Sequence, residues 1–161
     1  MRTPIGVRGF PHDLMIWLPR HPRAAAALAL VGLLTACGGA TTNKDATAII
    51  GALGTNGVPA KLGTVYDENT DPNKLLGRPN GYLSKAEFTD SRVKADKAGS
   101  VEVFEDADSA EARAEYIQAL GKTPMLAEYT YVKGNVVVRV DKDMAPSDAK
   151  AYEDALNEIV E

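Results

Sequence analysis

The stretch AEYTYVKGNVVVRVD (residues 127–141) constrains the fold more than any other feature of this sequence. Apolar and polar residues alternate on both sides of Gly134-Asn135, and a period of two is the pattern of a half-buried strand. A Gly-Asn dipeptide between two such segments is typical of a type II′ turn. We therefore predict a β-hairpin here, and with it an antiparallel sheet.

A second pair of strands is predicted upstream of this hairpin. Residues 82–90, YLSKAEFTD, alternate Ala86 and Phe88 with Lys85 and Glu87, and GSVEVFED (residues 99–106) repeats the alternation. Successive side chains of a strand point to opposite faces. Ser84 and Lys85 therefore cannot meet as a catalytic Ser-Lys dyad.

Three helices are predicted around these strands. The first runs from about Asp45 to Leu53, and the last begins at Pro146. The second opens with a capping pair, Asp108 with Glu111, and ends before Gly121. The residues at helical spacing that we expect to be buried are Ala46, Ile49, Ala52 and Leu53 in the first helix, Ala112, Tyr116, Ala119 and Leu120 in the second, and Ala149, Tyr152, Leu156 and Ile159 in the third.

The predicted element order is α-β-β-α-β-β-α. A single four-stranded antiparallel sheet with the helices packed on one face accommodates this order most simply, which places the domain in the α+β class.

The most apolar run, AAAALALVGLLTACGG (residues 24–39), has a different meaning. It is shorter than the roughly 20 residues that span a bilayer, and it has the length of a signal-peptide hydrophobic region, about 7–15 residues. Arg20 and Arg23 precede it, and Leu34-Thr35-Ala36-Cys37 ends it. This arrangement resembles the lipobox of bacterial lipoprotein precursors.

The lipobox implies that residues 1–36 are a signal peptide and that Cys37 carries the lipid. We then expect a protein on the outer, extracytoplasmic face of the cell membrane. Residues 37–44 would form a short tether, whose last seven residues reach about 24 Å when extended. A single domain would occupy residues 45–161.

Removal of residues 1–36 also removes much of the chemistry. Both histidines, His12 and His21, lie in that segment, and Cys37 becomes a thioether. Cysteine proteases, Ser-His-Asp hydrolases and His or Cys metal sites are thereby excluded. We expect no cofactor and no catalytic residue.

Charge excludes further classes of partner. The removed segment holds four arginines and one acid, so the net charge of −4 for the whole chain becomes −7. An acidic domain argues against nucleic acid as a partner and against electrostatic docking on anionic lipid. Attachment to the membrane would therefore depend on the acyl chains on Cys37.

A long polar loop, DENTDPNKLLGRPNG (residues 67–81), precedes the first predicted strand. Its beginning imitates the first ligands of an EF-hand calcium loop, but Pro72 stands where glycine is needed and Arg78 where glutamate is needed. The alternative to calcium is an Asx-type turn, in which Asp and Asn side chains bond their own backbone.

The same region carries the motif T-D-P-N-x-L-L-G-R-P-x-x-Y, from Thr70 to Tyr82. Together with GSVEVFEDADSAEARAEYIQAL and the Tyr-rich hairpin, it resembles a group of small lipoproteins from actinobacteria and other Gram-positive bacteria. The resemblance covers essentially the whole mature domain. It implies a compartment and a fold but no reaction, since no activity is established for the group.

Candidate binding residues lie in this motif: Arg78, Asn80 and Tyr82. A guanidinium between glycine and proline could bind an anion or a partner, and the alternative is an arginine that ties the loop to an acidic side chain of its own domain. Tyr129 and Tyr131 share a strand face and could form an aromatic patch or pack in the core.

Three functions stay open. The preferred one is a non-catalytic module that binds an envelope protein or a cell-wall component beside the membrane. The second is an inhibitor or accessory subunit of an envelope enzyme, by analogy with the helix-and-sheet repeat of secreted β-lactamase-inhibitory proteins. The third is a carboxylate-based hydrolase, which would need two carboxylates converging in a deep cleft.

Overall fold

The structure is a computed structural model that describes residues 39–161, so the predicted signal peptide and Cys37 lie outside the described residues. The elements of this part are, in chain order, α1 (Ala46–Thr55), β1 (Lys61–Val65), β2 (Ser84–Thr89), β3 (Gly99–Val103), α2 (Ala107–Leu120), a 3-10 turn (Pro124–Leu126), β4 (Glu128–Lys133), β5 (Val136–Asp141) and α3 (Pro146–Ile159). Among these helices, none has the length and apolar character needed to cross a bilayer.

The strands form one antiparallel sheet in the order β1-β2-β3-β5-β4. Both predicted hairpin pairs are confirmed, and β4 and β5 meet at the two-residue turn Gly134-Asn135, where Gly134 has a φ of +53°. The α+β class is confirmed. The predicted number of strands is wrong, because β1 adds a fifth strand, and the element order becomes α-β-β-β-α-β-β-α.

Strand β1 carries little of the signal that identifies a strand. All five of its residues are exposed, so no apolar face alternates with a polar one. Gly63 interrupts it where a Cβ would lie 3.1 Å from the carbonyl oxygen of Glu87, and its register with β2 shifts between Leu62 and Val65. Such short, irregular strands are common at sheet edges.

The helices cover both faces of the sheet, which corrects the prediction that they pack on one. Val138 and its neighbours at alternate positions of β5 pack in a core shared with α1 and α3. Val137 points to the other face and packs with Ala110 and Ala114 of α2. This three-layer arrangement leaves α2 alone on its face, beside the loop of residues 67–81.

Helix α3 and the start of α1 agree with the predictions. Asp45 caps α1 by accepting a hydrogen bond from the Ala48 amide, and α3 begins at Pro146. All four residues predicted to be buried in α3 are buried. Tyr129 and Tyr131 are partly buried against the core between the sheet and these two helices, so packing is their main role in the fold.

Helix α2 differs from the prediction in its start and in its buried face. Its cap is Asp106, which accepts from the Ser109 amide, and its buried residues are Ala110, Ala114 and Ile117. The stripe predicted to be buried, which contains Tyr116 and Leu120, lies on the surface instead. An apolar stripe on the helix is therefore left open to solvent next to the loop.

Candidate functional site

Asp71 organises the loop of residues 67–81 from inside. Its carboxylate is fully buried and accepts hydrogen bonds from the Tyr82 hydroxyl at 2.7 Å, from the Leu75 amide at 2.8 Å and from the Lys85 ammonium at 3.2 Å. The amides of Asn73 and Leu76 also donate to it, each at 3.2 Å. One side chain therefore anchors both the loop and the beginning of β2.

Burial alone would raise the pKa of the Asp71 carboxyl. The donors around it, led by Tyr82 and the Leu75 amide, outweigh burial and hold that pKa well below its usual range. Burial and the bond to Asp71 raise the pKa of the Tyr82 hydroxyl. Lys85 is also buried and lies 4.9 Å from the centre of the Tyr66 ring, so the charged pair is enclosed by aromatic rings.

A second buried carboxylate, Glu102 of β3, joins the sheet to α2. Arg113 of α2 donates to both of its oxygens, at 2.8 and 3.1 Å, and Arg139 of β5 donates to one at 3.2 Å. Arg139 also donates two hydrogen bonds to the Glu128 carboxylate at the edge of the sheet, at 2.6 and 3.0 Å. Helix α2 is thus fixed to the sheet by charge-assisted hydrogen bonds as well as by packing.

Asn73 connects the two clusters. In the amide orientation that satisfies its hydrogen-bonding neighbours, the side-chain oxygen of Asn73 accepts from Lys85 at 3.0 Å and from Arg113 at 3.2 Å. The Asp71 cluster of the loop and the Glu102 cluster under α2 therefore form one polar network. No buried side-chain polar atom in residues 39–161 is left without a partner.

An open groove of about 830 Å³ lies between the loop and α2. Asn73, Leu75 and Asn80 line it from the loop, Arg139 lines it from β5, and Arg113 lines it from α2. The wall from α2 carries Tyr116, Leu120 and Ile117, together with Ala112, Asp108 and Ser109. Tyr116 is 57% exposed and Leu120 is 37% exposed, so the groove has an apolar wall above a polar floor of hydrogen-bonded side chains.

The apolar wall extends beyond this groove. A smaller cavity of about 260 Å³ continues from Leu120 to Met125 and Leu126 of the 3-10 turn. Met125 is 88% exposed and Leu126 is 54% exposed. We call the main groove and this extension together the α2 groove.

The three predicted binding residues take different places. Asn80 lines the α2 groove, with a left-handed φ of +59° that asparagine tolerates better than most residues. Arg78 is exposed, and within residues 39–161 its side chain makes no hydrogen bond or ion pair, so the expected tie to an acidic side chain is not formed there. Tyr82 is fully buried, and it can influence a partner only through the loop that it organises.

The resemblance to a calcium loop at the start of this segment has a local explanation. Asp67 accepts hydrogen bonds from the amides of Asn69 and Thr70, at 2.8 and 2.9 Å, which is the Asx-type turn considered as the alternative. In the part of the chain that the structure describes, no three His, Cys, Asp or Glu side chains are grouped to hold a metal ion.

Sequence reasoning found Asn80 and Tyr82 but missed the other residues that build the site. Asp71 and Lys85 stand in the motif and in the next strand, but their pairing joins residues 14 apart and has no local signature. Two features of the sequence could have identified the buried face of α2. A second set of residues recurs at helical spacing, namely Ala110, Ala114 and Ile117, and Asp106 precedes this set as a cap.

Comparison with known proteins gives no match. No family model matches the chain, and no curated protein and no solved structure is significantly similar to it.

Arg78 and Tyr82 should respond differently to substitution. Because Arg78 is exposed and untied within the described residues, Arg78→Ala should change the free energy of unfolding by less than about 0.5 kcal/mol. Tyr82→Phe removes the buried hydroxyl that donates to Asp71, and it should lower the free energy of unfolding by about 1–3 kcal/mol. Urea unfolding followed by circular dichroism measures both. A loss for Arg78→Ala as large as that for Tyr82→Phe would show that Arg78 is structural.

Alkaline pH should destabilise the domain through two tyrosines. Tyr152 of α3 donates to the buried Asp90 at 2.8 Å, and burial with this bond raises the pKa of Tyr152 as it does that of Tyr82. Above about pH 10 the unfolded chain releases phenolic protons that the folded chain retains, so the free energy of unfolding should fall as pH rises.

Urea unfolding at a series of pH values from about 9 to about 11.5 checks this expectation. The double variant Tyr82→Phe/Tyr152→Phe is less stable at the start, and its stability should decline less over this range. An equal decline in the two proteins would show that other groups cause the alkaline loss.

Proposed function

We propose that this chain is a lipoprotein anchored by Cys37 to the outer face of the cell membrane, and that its domain binds another envelope component in the α2 groove without catalysing a reaction. The lipobox supports the anchor, and the groove supports the binding role. Exposed aromatic and aliphatic side chains are characteristic of protein interfaces, in which a few such anchors supply most of the affinity.

The single observation that carries the binding role is the exposed stripe on α2. A helix that packs on a sheet normally buries its apolar stripe, but here Tyr116 and Leu120 face the groove while small residues, Ala110 and Ala114, face the sheet. Small residues bring the helix close to the sheet, where Arg113 reaches Glu102. The large side chains of Tyr116 and Leu120 are left for a partner.

An enzyme of the carboxylate type receives less support. Glu87, Glu128 and Asp141 line a cleft of about 160 Å³ on the sheet, and Glu87 and Glu128 are each paired with a cation, Lys97 and Arg139 respectively. Glycoside cleavage also needs a carboxylic acid with a raised pKa. Burial would raise the pKa of Asp71 and of Asp90, but hydrogen bonds from their partners lower both. In an accessory or inhibitory role, the domain would bind an enzyme through the same α2 groove.

Site-specific photo-crosslinking in cells tests the binding role. A photo-reactive phenylalanine analogue at Tyr116 should crosslink one defined component, and Leu120→Ala should weaken the crosslink while changing stability little. The matched control is the analogue at Leu62, which is 48% exposed on the edge strand β1. Equal crosslinking from both positions, or none from Tyr116, would contradict binding in the groove.

The anchor is tested separately by intact mass. Protein extracted from membranes should begin at Cys37 and carry the mass of the acyl chains, and Cys37→Ser should leave an uncleaved or unlipidated precursor. An unmodified thiol at Cys37 in the mature protein would contradict the anchor and leave the groove proposal standing.

A further inference from the structure

Part of the segment predicted as a short tether is held by the domain. The Thr42 amide donates to Asn135 Oδ1 at 2.8 Å, and Asn135 Nδ2 donates back to the Thr42 carbonyl at 3.0 Å. Asn135 Nδ2 also donates to the carbonyl of Phe104 at 2.8 Å, and the residue is only 4% exposed. This amide therefore binds the tether backbone on one side and the end of β3 on the other.

The turn between β4 and β5 is shaped to receive the tether. A Cβ at Gly134 would collide with the carbonyl oxygen of Ala40, and the positive φ of Gly134 also favours glycine. Ala40 is partly buried against the core beneath α1 and α3, and a Cβ at Gly39 would lie 3.7 Å from Ala107. The tether thus leaves the domain at one defined place, between the turn and the beginning of α2.

We infer that this tether clamp, formed by Gly134 and Asn135 on residues 39–42, orients the domain on the membrane. The inference rests on the proposed lipidation of Cys37. Cys37 lies three residues before Ala40, so its Cα can be at most about 11 Å from that of Ala40. The end of the domain with the β4–β5 turn therefore faces the headgroups of the leaflet that holds the anchor.

The same geometry places the α2 groove. Helix α2 has 14 residues and begins at Ala107, beside Gly39, so its far end lies about 21 Å along the helix axis from the tether. Leu120 and the exposed Met125 lie at that far end. The clamp presents this far end of the α2 groove away from the bilayer, where a partner from the envelope can reach it.

Lipid proximity measured on the lipidated full chain tests this orientation. The protein is made in a host that processes lipoproteins and is reconstituted in vesicles of phosphatidylcholine and phosphatidylglycerol that carry a nickel-chelating lipid. A nitroxide is attached at Lys133→Cys, beside the turn, or at Met125→Cys, at the far end. Because lipid occupies Cys37, the introduced cysteine is the labelling site.

The label at position 133 should collide with nickel several-fold more often than the label at 125. Asn135→Ala and Thr42→Pro should each bring the two values together, because each removes the bond between the Thr42 amide and Asn135. Thr42→Pro leaves every side chain of the domain in place, so it decides the test if Asn135→Ala fails to fold. Asn56→Ala removes a side chain that donates to the Ala52 carbonyl of α1, and it should preserve the difference.

Equal collision rates at the two positions, in protein that floats with the vesicles, would overturn the orientation. So would a difference that survives both release variants. Protein that carries no acyl mass and does not float would instead contradict the lipid anchor, and with it this inference. Flotation and intact mass are measured first, so the two failures are distinguished.

Discussion

Asp71→Asn should lower the free energy of unfolding by about 3–5 kcal/mol, because it leaves the buried ammonium of Lys85 without its counter-charge. The asparagine also replaces a carboxylate that accepts from three backbone amides and from Tyr82. Charge-assisted bonds of this kind are stronger than the neutral bonds that would remain. Urea unfolding followed by circular dichroism gives the value.

Comparison with Lys85→Met separates the two contributions. Removal of the ammonium leaves Asp71 with the Tyr82 hydroxyl and the backbone amides, so the loss should be smaller than for Asp71→Asn. The double variant should recover part of the loss, since no unpaired cation remains. Strictly additive losses would show that the Asp71–Lys85 pair contributes nothing of its own and that the loop depends only on backbone bonds.

The effect of Asp71→Asn on the free energy of unfolding should also depend on pH in the acid range. The folded-state pKa of Asp71 lies below the unfolded value near 3.8, so this carboxylate stabilises the folded chain above that pH and loses its effect as pH falls. The difference in free energy of unfolding between the wild type and Asp71→Asn should therefore be largest near neutral pH and should shrink below about pH 4. A difference that does not change with pH would assign the loss to the shape of the loop and not to charge.

Much of the fold follows from short-range patterns in the sequence. The four strands with alternating residues, the Gly134-Asn135 turn and the buried face of α3 are local features, and each is where the sequence predicts it. Strand β1 is different, because it gains its hydrogen bonds from β2 and buries none of its own side chains. Because none of its side chains is buried, its sequence shows no alternation of apolar and polar residues.

The candidate site is less visible in the sequence for a related reason. It depends on which face of α2 is buried, and that choice is made by contacts from outside the helix. Arg113 reaches Glu102 on β3 while Ala110 and Ala114 face inward, and we expect this pair to help set the rotation that leaves Tyr116 outward. A period of 3.6 residues predicts which residues share one face of a helix. When a helix carries two such stripes, the element on which it packs decides which stripe is buried.

Glu102→Gln tests that dependence and should lower the free energy of unfolding by about 3–5 kcal/mol. The side chain is fully buried, and the substitution leaves two arginines without the charge that both now share. The matched control is Glu128→Gln at the edge of the same network, where the carboxylate is 20% exposed and its ion pair is with Arg139. Since water can replace part of that pairing, its loss should stay near about 1 kcal/mol.

The effect on the groove should follow the effect on the helix. If the Glu102–Arg113 pair fixes α2, Glu102→Gln should weaken the crosslink from Tyr116 even under conditions where the variant is fully folded by circular dichroism. Glu128→Gln should leave that crosslink unchanged. Unequal stability losses with equal crosslinking would mean that the buried pair stabilises the fold without setting the shape of the groove. Equal and small stability losses would instead place the connection between α2 and the sheet in the packing of Ala110, Ala114 and Val137 alone.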